Sequence, residues 1–523
     1  MKEKLKSMTF KDWIKVTCVA IIPILVVLFI FKGLDNDLWY LLTEGRYIIQ
    51  HGIYRTDVMS LHSNFDIVVQ NWLSAVIFWN IYVFLGSKGI FFFVLIVNLA
   101  ICYFLYEISM LISNCNKKVS VFVTLFTDVN LALYFIVSRP QILTFVVLLS
   151  LMYILEYYVK TNNKKCLKFI PLLSFLEINL HASYWWFIFL FMIPYIIDGI
   201  KSKKLRLQGY DIKPIIVIFI ISLFVGLINP YGYKSIFFIF NSYGDQYMFK
   251  YIYELQPFTF NNLISVNIFA VAVITIFMYI FFREGQIRVR YICLYVGTAL
   301  LGMINVKSLS LYLLVSTIPV ALLFVKDNSV EKKTKRPLLR KVLSVLLIVF
   351  TFAMVIVGGI RYYKIRDRIE FNHAASEAVD AIDIFTNKQP ASVYVSFNDG
   401  GYLEFRGYKS YIDPRAEVFL KKNNHKEDVY KEYYEFETGL IDINEFIKKY
   451  NFDFIFVKFG DRLYAEEKIN GYFVIYDKID TLYKVYARND IVTDDVRKMI
   501  IDEYEKAKKT RQEEMEKQAQ NQK

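Results

Sequence analysis

Residues 33–60, GLDNDLWYLLTEGRYIIQHGIYRTDVMS, decide how the rest of the chain is read. They come directly after the first long apolar run, and hold Asp35, Asp37, Glu44 and Asp57 beside Arg46, Arg55 and His51. Leu38, Leu41, Leu42, Tyr47, Ile48 and Ile49 recur at helical spacing, so the stretch predicts a short amphipathic helix lying on a membrane surface. Asp35, Asn36 or Asp37 can cap its start, and His51-Gly52 suits its end. Asp37 therefore reads either as a helix cap or as a catalytic carboxylate held at the membrane–water boundary.

Working outward, the first run spans 16–31 and is preceded by five lysines within residues 1–15, which puts the N-terminus on the cytoplasmic side. Further apolar runs occur at about 71–86, 89–112, 119–137, 141–159, 167–180, 183–200, 214–229, 264–282, 289–305, 307–325 and 342–360. Basic breaks at 116–118, 160–168, 201–213, 283–290 and 326–341 alternate with breaks poor in basic residues at 138–140, 179–183, 230–262 and 305–307. The alternation holds if the short run 71–86, with Trp72, Trp79 and Asn80 inside it, lies on the outer face rather than crossing. A crossing needs about 20 residues. The expectation is 11 spans, with everything after about residue 361 outside the cell membrane.

The composition agrees with a polytopic α-helical membrane protein. Hydrophobic residues make up 55% of the 523 and mean hydropathy is +0.35, against about 45–50% apolar in soluble chains. The net charge of +13 is loop charge that sets orientation, not a nucleic-acid footprint. The five cysteines lie in or beside apolar runs with no metal-ligand spacing. Residues 362–491 read as an extracytoplasmic α/β domain. Its strands are expected at 392–396, 452–457, 472–476 and 482–486, and its helices at 443–450 and 461–469. Residues 492–523 read as a charged helix and tail. Asp399 and Asp413-Pro414-Arg415 read either as tight turns or as acceptor-reading groups.

Five polar sites fall on the outer face under this topology: the Asp35/Asp37 loop, Ser138-Arg139-Pro140, Asn179/His181, Asn229-Pro230-Tyr231 with Glu254 beyond it, and Asn305–Lys307. Group transfer from a lipid phosphate needs such a set. A carboxylate acts as general base on an acceptor hydroxyl, cations such as Arg139 and Lys307 stabilise the phosphate leaving group, and aromatics stack on sugars.

The pattern D-x-W-x-x-L-x-x-G-x-x-I-x-x-x-G-x-x-x-x-D-x-x-S from Asp37 to Ser60 resembles the first-loop signature of GT-C glycosyltransferases. So does the order of the later segments, the Trp72–Gly86 element, SRPQ, NLHAS and LINPYG. The C-terminal FNDGGYLEFRGYKSYIDPRAEVF (Phe397–Phe419) is similar to a stretch in bacterial members with a soluble C-terminal domain. The resemblance implies a polyprenyl-phosphate sugar donor, an acceptor that is a surface glycan, lipid or protein, Asp37 as base and Asp57 as supporting acid. Arg46, Arg139, His181, Lys307 and Tyr231 are then substrate-binding. Tyr40 comes after Trp39 where many such sequences carry a histidine. No second DxD-like pair occurs in the later loops, so no metal is assigned, and a divalent cation is left open. The competing reading is a transporter or flippase for a lipid-linked glycan, which would need repeated halves and polar residues at mid-membrane.

Overall fold

A computed structural model describes residues 21, 23–27, 34–200, 210–242, 244–261, 263–282, 288–323, 375–386, 390–478, 482–495 and 497–498. Most of the first expected span, the whole of the last, much of the basic breaks at 201–213 and 283–290, the whole of that at 326–341, and the tail beyond 498 lie outside the described residues. The chain divides into two compact units: Met1–Arg55 with Val68–Phe371, and Thr56–Ile67 with Asn372–Lys523. A twelve-residue excursion of the first loop thus belongs to the second unit.

The first unit is helical. Asp37–His51 forms the expected amphipathic helix. Its start is held by Asp35, whose carboxylate accepts the Asp37 N–H at 3.0 Å. Gly52, at φ 83°, ends it and returns its N–H to Ile48 O. The buried face is Leu38, Trp39, Leu41, Leu42, Glu44, Gly45 and Ile48, whereas Ile49, counted by periodicity on that face, is exposed. Gly45 is required by close packing, because a Cβ there would lie 2.1 Å from Ala75 O on the next helix.

That next helix runs Trp72–Ile112 with a break at Gly86 (φ 62°, ψ −160°), where only glycine is at ease. The break divides it where the sequence separates an outer-face element from a span. Trp72–Ile112 packs on Lys117–Tyr134 and Gln141–Thr161. Leu309–Leu323 packs on Val289–Ile304 and on Lys117–Tyr134. Pro140 opens Gln141–Thr161, where its missing N–H costs nothing.

Among the described residues two helices, Trp72–Ile112 and Gln141–Thr161, are long and apolar enough to cross a membrane. Ile170–Leu180, Trp186–Asp198 and Lys213–Val225 have 11, 13 and 13 residues, below the about 20 of a full crossing. The expected count of 11 spans is therefore not confirmed by helix length among the described residues. Apolar side chains such as Phe84, Phe92, Ile96 and Phe224 are nevertheless exposed, the pattern of helix faces that meet hydrocarbon rather than water. Deep in the bundle Arg290 pairs with Glu156 and Asp198 at 2.9 and 2.6 Å, and Tyr195 and Tyr291 donate to Glu156. This ion network is closed on itself, as a structural staple must be.

The second unit carries a five-stranded sheet in the order β2-β1-β3-β5-β4, with β1 Ser392–Val395, β2 Lys409–Ser410, β3 Phe454–Lys458, β4 Tyr472–Lys478 and β5 Tyr483–Arg488. β1 is parallel to β2 and β3, and β5 is antiparallel to β3 and β4. Asp442 caps the helix Ile443–Tyr450, and Asn451 in the left-handed region turns the chain into β3, whose apolar run is buried. Residues 461–469, read as helical, form only the short 3₁₀ turn Arg462–Ala465. So short a segment, with Gly471 close behind it, cannot hold a stable helix of its own.

Candidate active site

Arg139 is the hub of the site in the first unit. Its Nε lies 2.8 Å from Asp35 Oδ1 and 3.2 Å from Asp37 Oδ2, and its Nη1 lies 2.7 Å from Glu254 Oε1. Ser138 adds a hydrogen bond, its Oγ accepting the Asp35 N–H at 3.0 Å. Three carboxylates around one guanidinium leave an excess of negative charge. Burial, with Asp35 and Glu254 adding to it, raises Asp37 to about 7 in spite of Arg139 and Lys307. For Arg139 burial works against the charge, and Asp37, Asp35 and Glu254 outweigh it, so its pKa lies above the ordinary arginine value. Asp37 keeps 26% of its side chain open to solvent, so a substrate hydroxyl can reach it.

Backbone staples join the loops that carry these groups. Val306 N–H donates to Gln256 O at 3.0 Å and Phe258 N–H to Met303 O at 3.2 Å, holding the Glu254 turn against the Lys307 turn. Gln141 Nε2 donates to Ser310 Oγ, and Ser310 Oγ donates to Lys307 O. These bonds bring the Arg139 loop to the same place. Lys307 is half-buried, acts electrostatically on both Asp37 and His181, and makes no ion pair among the described residues. His181 is buried in the turn after Ile170–Leu180, where Ala182 N–H donates to Gln70 O and Trp72 Nε1 donates to Asn179 Oδ1. The Tyr184 ring covers the His181 imidazole with centroids 4.4 Å apart. Burial and then Lys307 press His181 well below the usual histidine range, so its imidazole is neutral.

The structure thus gathers Asp37, Arg139, His181 and Lys307, four of the seven residues singled out from the sequence. The other three have different partners. Arg46 lies 5.7 Å above the Trp79 ring. Tyr231 is buried, donates to Tyr54 O at 2.8 Å and has Arg55 over its ring, so it locks the end of the first loop. Asp57 belongs to the second unit. There Arg415 Nη1 reaches Asp57 Oδ1 at 3.0 Å and forks onto Asp413 at 2.9 and 2.7 Å, while Ser60 N–H donates to Asp57 Oδ2. Burial opposes the charge on Asp57, but Arg415 and Ser60 prevail and hold its carboxyl below the ordinary range. A carboxylate held that firmly is a poor proton acceptor. Asp413-Pro414-Arg415 is thereby explained as an ion-pair clamp, and Asp399 pairs with Lys458 at 2.7 Å.

Sequence reasoning placed Asp35 and Glu254 in its polar sites but gave Glu254 no role and Asp35 only that of a cap, and it gave no role to Thr144, Glu177 or Tyr184. Glu254 sits in a long polar break, residues 230–262, and nothing local marks which of its acids turns inward. No group of three or more His, Cys, Asp or Glu poised for a metal occurs among the described residues.

No family model matches the chain, and no curated protein matches it. Solved structures do. A mutant of the arabinofuranosyltransferase AftD from mycobacteria matches over 92% of this chain and 42% of its own length, at 11% identity and a TM-score of 0.50. A second structure of AftD matches over 92% and 40%, at 10% identity and a TM-score of 0.49. The chain spans about two fifths of the length of the protein it matches. At that identity the likeness is one of fold alone.

Proposed function

We propose that the chain is a membrane glycosyltransferase that moves a sugar from a polyprenyl-phosphate donor to an extracytoplasmic acceptor, which is a cell-surface glycan, lipid or protein. The observation that carries this reading is the convergence of Asp35, Asp37 and Glu254 on Arg139, with Lys307 acting on both Asp37 and His181. In the reaction, Asp37 takes the proton of the acceptor hydroxyl as that oxygen bonds to the anomeric carbon. The bond from carbon to phosphate oxygen breaks, and the polyprenyl phosphate leaves with the electron pair. A base titrating near neutrality suits this task. Arg139 is occupied by carboxylates and orients Asp37, so Lys307 and His181 are the groups left for the phosphate. Asp57 takes a structural role in this reading, and Arg46 and Tyr231 hold the first loop in shape.

In this reading the chain is a multi-pass protein of the cell membrane. The N-terminus is cytoplasmic, the chain crosses 11 times with short helices completing the count, and the C-terminal domain is outside. Mass spectrometry of surface glycans from cells with and without the protein tests the reaction. Complementation by the parent restores a glycosyl increment, and Asp37→Asn fails to restore it while inserting normally, a loss of about 10²–10⁴-fold. Identical glycans in all three strains would overturn the glycosyl transfer, and an Asp37→Asn protein that restores the increment as the parent does would favour the flippase.

A further inference from the structure

Three polar side chains meet where the helices Gln141–Thr161 and Ile170–Leu180 pack together. Thr144 Oγ1 lies 2.7 Å from Glu177 Oε1 and 3.0 Å from His181 Nδ1. Thr144 and Glu177 are wholly buried, and His181 is 7% exposed. Glu177 Oε2 is buried with no hydrogen-bond partner, and no cation pairs with Glu177 among the described residues. His181 Nε2 likewise has no partner there.

A hydroxyl carries one hydrogen, so Thr144 donates to one neighbour and accepts from the other. The direction is set at Glu177. If Glu177 is ionised it can only accept. Thr144 then donates to it, His181 must carry its hydrogen on Nδ1, and Nε2 is a bare lone pair. If Glu177 is the neutral acid, its O–H donates to Thr144, Thr144 donates to Nδ1, and the imidazole hydrogen sits on Nε2. An ionised carboxylate with one oxygen unpaired among apolar helices is the costly arrangement. The neutral chain buries no unpaired charge: it leaves the Glu177 carbonyl oxygen without a partner and turns the one free donor of the set, the Nε2–H of His181, to the edge where a ligand can take it.

We infer that Glu177 is kept as the neutral acid and, through Thr144, fixes His181 in the tautomer with hydrogen on Nε2, so that this edge donates to an anionic phosphate oxygen beside Lys307. The phosphate part rests on the proposed glycosyl transfer; the tautomer does not. Glu177 and Thr144 are positioning residues: neither need touch substrate. The Tyr184 ring against the imidazole keeps its plane from turning.

The test uses the full chain in lipid nanodiscs with ¹⁵N-histidine. Only five histidines are present, and His181→Gln assigns the signal. The parent, Thr144→Ser and Glu177→Gln are expected to show one Nε2–H tautomer, since an amide also donates to Thr144. Thr144→Val is expected to show mixed tautomers. Infrared difference spectra should contain a carboxylic-acid carbonyl band in the parent that Glu177→Gln removes. An Nδ1–H tautomer or an imidazolium in the parent, or absence of the acid band, overturns the inference whatever the activity. Farnesyl phosphate is expected to move the Nε2 signal. A correct tautomer that farnesyl phosphate leaves unmoved overturns instead the phosphate reading on which the last step rests.

Discussion

Asp37 shares the Nε of Arg139 with Asp35, and that sharing governs its chemistry. In the proposed reaction Asp37 acts as base only when ionised, so the rate is expected to rise with pH through about 7. Glu254 is one of the charges that raise Asp37, and Lys307 one that lowers it. Glu254→Gln should therefore move the acid limb of the rate profile to lower pH, and Lys307→Met should move it higher. A limb that stays put in both variants would mean that another group titrates. Asp35→Asn is no silent change. It keeps the acceptor for the Asp37 N–H but loses the charge on Arg139, so a fall of about tenfold, one lost charge-assisted hydrogen bond, is expected with a downward shift of the same limb.

At the scale of elements, the helix Asp37–His51 is seated by Gly45 on Ala75. Gly45→Ala puts a Cβ where the carbonyl oxygen stands, so the helix must lift. The expected cost is about 1–3 kcal/mol, read as a lower melting temperature in detergent together with a fall in turnover. A variant as stable and active as the parent would show that the helix is free to shift. In the second unit, Arg415 holds Asp57 and Asp413 in a dry interior and lies 3.6 Å from Glu404. Arg415→Met strands those carboxylates and should cost about 3–5 kcal/mol, whereas Asp57→Asn leaves the Asp413 fork in place and should cost less. Limited proteolysis of the C-terminal region ranks the two, and equal protection in both would exclude the clamp.

For the molecule as a whole, the proposed topology makes a direct prediction. Single cysteines at Asn80 and Lys421, in a background free of other cysteines, should both react with an impermeant maleimide from outside the cell. Reaction of Lys421→Cys only after permeabilisation would invert the C-terminal domain and remove the outer-face site. What the sequence by itself determined is local. Among the described residues the apolar runs set the long helices of the first unit to within a few residues, Gly52 and Gly86 marked an end and a break, and β3 was legible because a strand buried on both faces is apolar throughout, whereas the helices Ser376–Thr386 and Val429–Glu437 were not anticipated. The polar residues at 139, 181 and 307 stood out because charge at the end of an apolar run needs a reason. What only the tertiary structure decided is pairing at a distance. Arg139 meets acids 104 and 115 positions away, Arg415 meets Asp57 across 358, and Thr144 meets Glu177 across 33. Periodicity repeats within a turn of helix or a pleat of sheet and carries no record of such partners. Whether a carboxyl is pushed up, as Asp37 is, or held down in a clamp, as Asp57 is, is set by the burial and charge that packing brings to it.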